Sequence, residues 1–200
     1  MPENIHPIFK KLAGRQEKQA LLNQKSKVIW LTGLSGSGKS TLALGVEQRL
    51  FEEGFLTEVL DGDNIRSGIN NNLGFSLEDR YENIRRISEV AKLFLNSGVI
   101  SIAAFISPTR EIRQMAKSII GEEDFIEVYM SAPLEVCESR DVKGLYKKAR
   151  KGEIKGFTGI DSPYEPPVDP DLILDTTNEN IPDTIERVIN YIRPLIKNES

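Results

Sequence analysis

"LTGLSGSGKST" occupies residues 31–41, and the fold turns on how it is read. Gly33-Leu34-Ser35-Gly36-Ser37-Gly38-Lys39-Ser40 fits G-x-x-x-x-G-K-[ST], a loop whose backbone N–H groups turn inward onto phosphate oxygens. The motif carries weight only with a strand before it and a helix after it. "KVIWLTG" (27–33) is a short, β-rich apolar run ending in glycine. "STLALGVEQRLFEEG" (40–54) repeats Leu42, Val46 and Leu50 at helical spacing and stops at Gly54. Both conditions hold, so a glycine-rich turn that binds nothing is the weaker account. The helix N-terminus favours an anion, Lys39 brings a point charge to the β- and γ-phosphates, and Ser40 offers a hydroxyl to Mg²⁺. Gly33, Ser35, Gly36, Ser37, Gly38, Lys39, Ser40 and Thr41 are therefore the expected nucleoside-triphosphate-binding residues.

Outward from this loop, apolar runs alternate with helical patterns. "FLTEVLDGD" (55–63), "VISIAAFISP" (99–108), "FIEVYMSA" (125–132) and "DLILDT" (171–176) read as four further strands. "SLEDRYENIRRISEVAKLFLNSG" (76–98) is the clearest helix. Ser76 and Asp79 have capping-box spacing, Ile84, Ile87, Ala91 and Phe94 share a face, and Gly98 ends it. A last helix carries Ile185, Val188, Ile189 and Ile192. The expected fold class is α/β: a three-layer P-loop NTPase fold with a central, mainly parallel five-stranded sheet. "DSPYEPPVDPD" (161–171) holds four prolines and reads as an ordered surface loop. Residues 1–25 read as an N-terminal arm or polar helix, and 26–200 as one domain.

Bulk composition narrows the function. A chain of 200 residues with 39% hydrophobic and 28% charged residues can bury a full core. A formal charge of −4 argues against a nucleic-acid face, which needs clustered positive charge. No apolar run is long enough to span a membrane. The single cysteine, Cys137, fits a reducing, cytoplasmic setting and reads as a small buried hydrophobe.

"LDGDNIR" (60–66) places Asp61 and Asp63 where the second strand ends, and in open α/β sheets ligands bind outside the carboxyl ends of strands. One carboxylate can face Mg²⁺ and the other can take a proton from an attacking hydroxyl. Spacing does not say which does which. An Asx turn would also suit Asp-Gly, but the neighbouring phosphate loop favours chemistry. No N-K-x-D segment reads guanine, so a small-molecule kinase is preferred to a GTPase switch.

"LTGLSGSGKST", "LDGDNIR", "LGFSLEDRYENIRR", "AFISP" and "RDVKGLYKKARKGEIKGFTGIDSPYE" occur in order, and over residues 26–178 the chain resembles the adenylylsulfate kinase family. The resemblance implies transfer of the γ-phosphate of MgATP to the ribose 3′-hydroxyl of adenylyl sulfate. It also implies a homodimer with a mobile lid, and leaves open a functional coupling to an ATP sulfurylase. On this resemblance Lys39, Asp61, Asp63 and Arg140 are the catalytic candidates, with Ser40 and Asp63 toward the metal. Arg140 is expected near the transferring phosphate. Asp63, Arg66, Phe75, Arg80, Asn83, Ile106, Ser107, Lys143, Lys155, Gly156 and Phe157 would meet adenylyl sulfate. Planar guanidinium groups suit phosphate and sulfate oxygens, and Arg80 and Asn83, three apart, share a helix face. Phe75 and Phe157 each follow a glycine and are expected on exposed turns that sandwich the acceptor adenine.

Seven cations stand against Asp141 and Glu153 between residues 140 and 155, a local +5 expected to form a basic lid over about 140–160 that excludes water. The family's serine at Ser107 has been treated as a phosphoserine intermediate, but in-line transfer needs none, so Ser107 reads as a substrate contact. One departure is Thr109, where the family usually has an aromatic residue. Two alternatives are a gluconate- or shikimate-type kinase, which leaves Phe75 and Phe157 unexplained, and a non-catalytic nucleotide-sensing domain, which would not need the intact Lys39 and acidic pair.

Overall fold

Five parallel strands form the sheet in the order β2-β3-β1-β4-β5. They are β1 (Val28–Thr32), β2 (Thr57–Asp61), β3 (Ile100–Ala104), β4 (Phe125–Ser131) and β5 (Leu172–Asp175) in a computed structural model that describes residues 8 and 11–198. All five expected strands are present. β1 is central and buried along its whole length, and its alternating side chains feed two separate cores. Ile29 and Leu31 pack on the side of α2 (Lys39–Glu52) and α8 (Ile181–Ile196). Val28 and Trp30 pack on the side of α4 (Leu77–Asn96) and α5 (Arg110–Ile120). Helices thus cover both faces, which is what a parallel sheet requires.

Register decides where the site lies. Leu31 of β1 and Asp61 of β2 both stand opposite Ala104 of β3, so the carboxyl ends of three adjacent strands are level. The segments that leave those ends emerge along one rim.

Several local readings change. The second strand stops at Asp61 instead of running to 63, because the Asp61 carboxylate accepts the Asp63 amide at 3.0 Å and caps α3 (Gly62–Ser67). The sequence reading named no element over 110–120, yet Ile112, Ala116 and Ile120 recur at helical spacing and are buried. Thr109 caps that helix, accepting the Ile112 amide at 3.3 Å, which gives the departure from an aromatic residue a local role. The basic segment expected as a lid, about 140–160, starts at the end of α6 (Leu134–Arg140) and continues through α7 (Leu145–Arg150) into a loop. The two helices and the loop close on one another through a third cluster of Cys137, Tyr146, Ala149 and Phe157.

Of the arm, residues 1–7 and 9–10 lie outside the described residues; α1 (Arg15–Leu22) begins the remainder. Arg15 donates to the Ser26 carbonyl at 2.7 Å and to Asp124 at 2.8 Å. Buried Gln24 donates to the carbonyls of Leu56 and Gly98 at 3.0 and 2.8 Å and accepts the Leu56 amide. Among the described residues no helix is long and apolar enough to cross a membrane.

Candidate active site

A cleft of about 1360 Å³ opens along the rim where β1, β2 and β3 end. It takes in the phosphate loop, the acidic pair, the start of α4, the β3 turn and the lid. Of the residues expected from sequence, all but Gly33 and Gly156 line it. Those two sit behind the wall, where the Gly33 carbonyl accepts Lys39 and the Gly156 carbonyl accepts Arg80.

The phosphate loop has the required backbone. Gly36 has φ +76, and a Cβ there would stand 2.9 Å from the Cys137 carbonyl oxygen, so no other residue fits without displacing main chain. Lys39 is the first residue of α2 and folds back over the loop, donating to the carbonyls of Gly33 at 2.9 Å and Leu34 at 2.7 Å. Burial is the main cause of its ammonium pKa falling to about 8. An incoming phosphate would favour the charged form and raise that pKa again, so the site is prepared for an anion.

The two aspartates separate into different surroundings. Ser40 Oγ donates to Asp61 Oδ2 at 2.6 Å. Asp63 points across the cleft to an ion pair with Lys143 of the lid. Asp61, at the strand end, is thus the carboxylate beside Ser40, while Asp63, two residues on in the first turn of α3, faces Lys143 instead. Among the described residues no group of three or more His, Cys, Asp or Glu is arranged to hold a metal ion.

Toward the other end of the cleft, Phe75 and Phe157 are not equivalent. Phe75 is 61% exposed, with the Arg66 guanidinium 4.5 Å above its ring centre. Phe157 is only 8% exposed, set edge-on to Tyr146 at 5.0 Å, so it lies in the cluster under the lid and not on an exposed turn. The Asp161 carboxylate fixes that ring's backbone by accepting the amides of Gly156 and Phe157. Arg80 and Asn83 are buried, not solvated. Arg80 donates to the Phe75 carbonyl at 2.9 Å, the Gly156 carbonyl at 2.8 Å and Thr158 Oγ1 at 3.1 Å, bridging the start of α4 to the base of the lid. Asn83 Oδ1 accepts from Asn70 at 3.0 Å.

Arg140 ends α6 and donates to the carbonyls of Gly36 and Thr176. That places its guanidinium between the phosphate loop and the β5–α8 loop. Ser107 has φ +39 and is buried; its hydroxyl accepts from Trp30 Nε1 and donates to Thr32 Oγ1, each at 3.1 Å. A hydroxyl so engaged is poorly placed as a phosphoryl carrier.

A family model described as adenylylsulphate kinase matches residues 25–175. This chain belongs to the adenylylsulphate kinase family. The adenylyl-sulfate kinase of Phocaeicola vulgatus is 58% identical over 194 residues, covering 97% of this chain and 95% of that protein. That of Bacteroides thetaiotaomicron is 59% identical, covering 97% and 96%. Among solved structures, the Mycobacterium tuberculosis APS kinase CysC in complex with AMPPNP and APS is 48% identical, with a TM-score of 0.82. The match covers 84% of this chain and 98% of that one.

Several further residues at the site carry no role expected from the sequence. Thr176, Thr177, Glu179 and Asn180 line the cleft from the β5–α8 loop. Tyr146 donates from its hydroxyl to the Ser35 carbonyl at 2.9 Å and so ties the lid to the phosphate loop. The one sequence signal was for Asp161, a carboxylate four residues beyond Phe157 in a glycine-rich turn, where Asx bonding is common. Tyr146 and the β5–α8 loop carry no such local mark, since tertiary packing alone brings them in.

Proposed function

We propose that the chain is an adenylyl-sulfate kinase that moves the γ-phosphate of ATP to the ribose 3′-hydroxyl of adenylyl sulfate, giving ADP and 3′-phosphoadenylyl sulfate. One observation carries this reading. A single cleft joins a phosphate loop to an acidic pair and then to Phe75, Arg66, Arg80 and Asn83. A base-stacking ring with two cations and an amide beside it suits an adenylyl group bearing a phosphosulfate, and a sugar acid has no use for the ring.

The residues divide the work as follows. The loop amides and Lys39 hold the donor phosphates. Ser40 and Asp61 offer the hard oxygen donors that Mg²⁺ takes alongside water and substrate phosphates, so the pair fits that ion. When bound, Mg²⁺ would neutralise charge on the phosphate oxygens. Asp63 accepts the proton of the 3′-hydroxyl once Lys143 gives up their ion pair. Phe75 and Phe157 present the adenine site, and Arg66, Arg80 and Asn83 supply donors to the anionic group. Lys155 and the rest of the lid bring cations over the cleft, and closure would exclude water, so that transfer prevails over hydrolysis. Ile106 and Ser107 form the wall beneath the acceptor. A homodimer belongs to the same reading and is read by light scattering on the purified chain.

With ATP, Mg²⁺ and adenylyl sulfate, ADP and 3′-phosphoadenylyl sulfate should form in equal amounts. ADP formation indifferent to adenylyl sulfate, or equally fast with gluconate or shikimate, would sink the assignment.

A further inference from the structure

Arg113, on α5, is 3% exposed and lies outside the cleft, yet each of its guanidinium nitrogens reaches a different segment. Nη1 donates to the Ser107 carbonyl and Nη2 to the Glu165 carbonyl, both at 2.7 Å. Nε lies 2.8 Å from Glu127 Oε1 of β4, an ion pair without hydrogen-bond alignment. The guanidinium also stands 5.8 Å from the Tyr164 ring centre, and the Tyr164 hydroxyl meets Thr32 Oγ1 at 3.0 Å at the root of the phosphate loop.

The Ser107 contact matters most. Ser107 holds φ +39, a left-handed conformation that a serine does not adopt without help, and its carbonyl is turned inward. A buried carbonyl without a donor is costly, so the Arg113 bond contributes directly to keeping the turn in this form. The turn displays Ile106 and Ser107 to the cleft. We infer that Arg113 is a positioning residue for phosphoryl transfer, setting the Ile106–Ser107 wall and thereby the depth at which the acceptor sits. This rests on the reading above that the wall meets the acceptor.

Three variants test it, each compared with the wild-type chain for KM of adenylyl sulfate, KM of ATP, kcat and melting temperature. Arg113→Lys keeps the charge but cannot span all three partners. It should raise the KM of adenylyl sulfate about tenfold or more and leave that of ATP within about twofold. Glu127→Gln loses the ion pair but spares the two carbonyl bonds. It should lower the melting temperature and leave both KM values within about twofold. If the two variants melt alike and change the acceptor KM alike, Arg113 is only a stability element and the proposal is overturned. Ile106→Ala examines the wall itself and should raise the acceptor KM. A flat result there removes the wall from the acceptor site, and the proposal with it. A flat Arg113→Lys beside a responsive Ile106→Ala overturns the positioning role alone. Should Arg113→Lys not fold, Ser107→Gly loosens the same turn while keeping its carbonyl. It should reproduce the acceptor-selective rise in KM, and an unchanged acceptor KM would overturn the proposal.

Discussion

On the proposed donor side of the cleft, one unbroken loop and the first turn of one helix would do the binding, largely with main-chain groups. On the acceptor side, Asp63, Phe75, Arg80, Ser107 and Phe157 come from α3, the approach to α4, α4 itself, the β3 turn and the lid. The donor side rests mainly on local geometry, Gly36 with its positive φ and Lys39 at the head of α2, with Tyr146 and Arg140 bonded to its carbonyls from outside. The acceptor side depends on long-range bonds, such as Arg80 to Gly156 and Lys143 to Asp63, which hold distant segments against one another. The first kind of site should be the less sensitive to change in the rest of the molecule. The second registers a shift in any of its supports.

The largest effect should come from removing the donor charge. Lys39→Met should lower turnover by about a thousandfold or more, measured as ADP release. The same variant tests the buried charge. With a folded pKa of about 8 against the ordinary 10.5, the wild-type chain carries the full burial penalty below pH 8. Between pH 8 and 10.5 the folded form releases a proton that the unfolded form keeps, so stability rises with pH across that window. Urea unfolding at both ends should show the gap between wild type and variant changing in that sense; a constant gap would remove the penalty.

Next in size, the aspartates should come apart. Asp63→Asn should reduce kcat by about a hundredfold or more with little change in the KM of adenylyl sulfate. Asp61→Asn should instead raise the Mg²⁺ concentration needed for half-maximal rate. If both variants respond only through Mg²⁺, the division drawn from Ser40 and Lys143 is mistaken.

A smaller effect should come from Phe75→Ala, which should weaken adenylyl sulfate binding by about 1–3 kcal/mol and spare ATP. Loss of both affinities would make Phe75 a packing residue. Smallest of all, Thr109→Ala should cost about 1 kcal/mol of stability through the lost helix cap and leave the kinetics alone. A change in acceptor KM would extend the acceptor wall to that cap.

The contrast between the two sides also explains what could be read in advance. The phosphate loop, all five strands and the caps of α2 and α4 follow from short-range patterns, because turns, periodicity and capping act within a few residues. The acidic pair was visible as a pair, but its division was not. Ser40 and Lys143 flank Asp61 and Asp63 only after the sheet register and the lid are set. The burial of Phe157 is illegible in the sequence for a related reason. A phenylalanine after a glycine looks the same whether its ring faces solvent or Tyr146, and only the fold of the lid decides. α5 was passed over although its apolar spacing is regular. Arg113 gave no signal, since an arginine in a helix usually ends in water.

Cys137 is the only cysteine of the chain, fully enclosed on the inner face of α6 among Tyr146, Ala149 and Phe157, with its thiol pKa pushed up chiefly by burial. An enclosed, protonated thiol reacts with a disulfide reagent only when its cover lifts. The molecule therefore carries its own clock. The rate at which that one sulfur is labelled should report opening of the cluster around it, and ligands that bind the adjoining cleft should slow it without any probe having to be introduced.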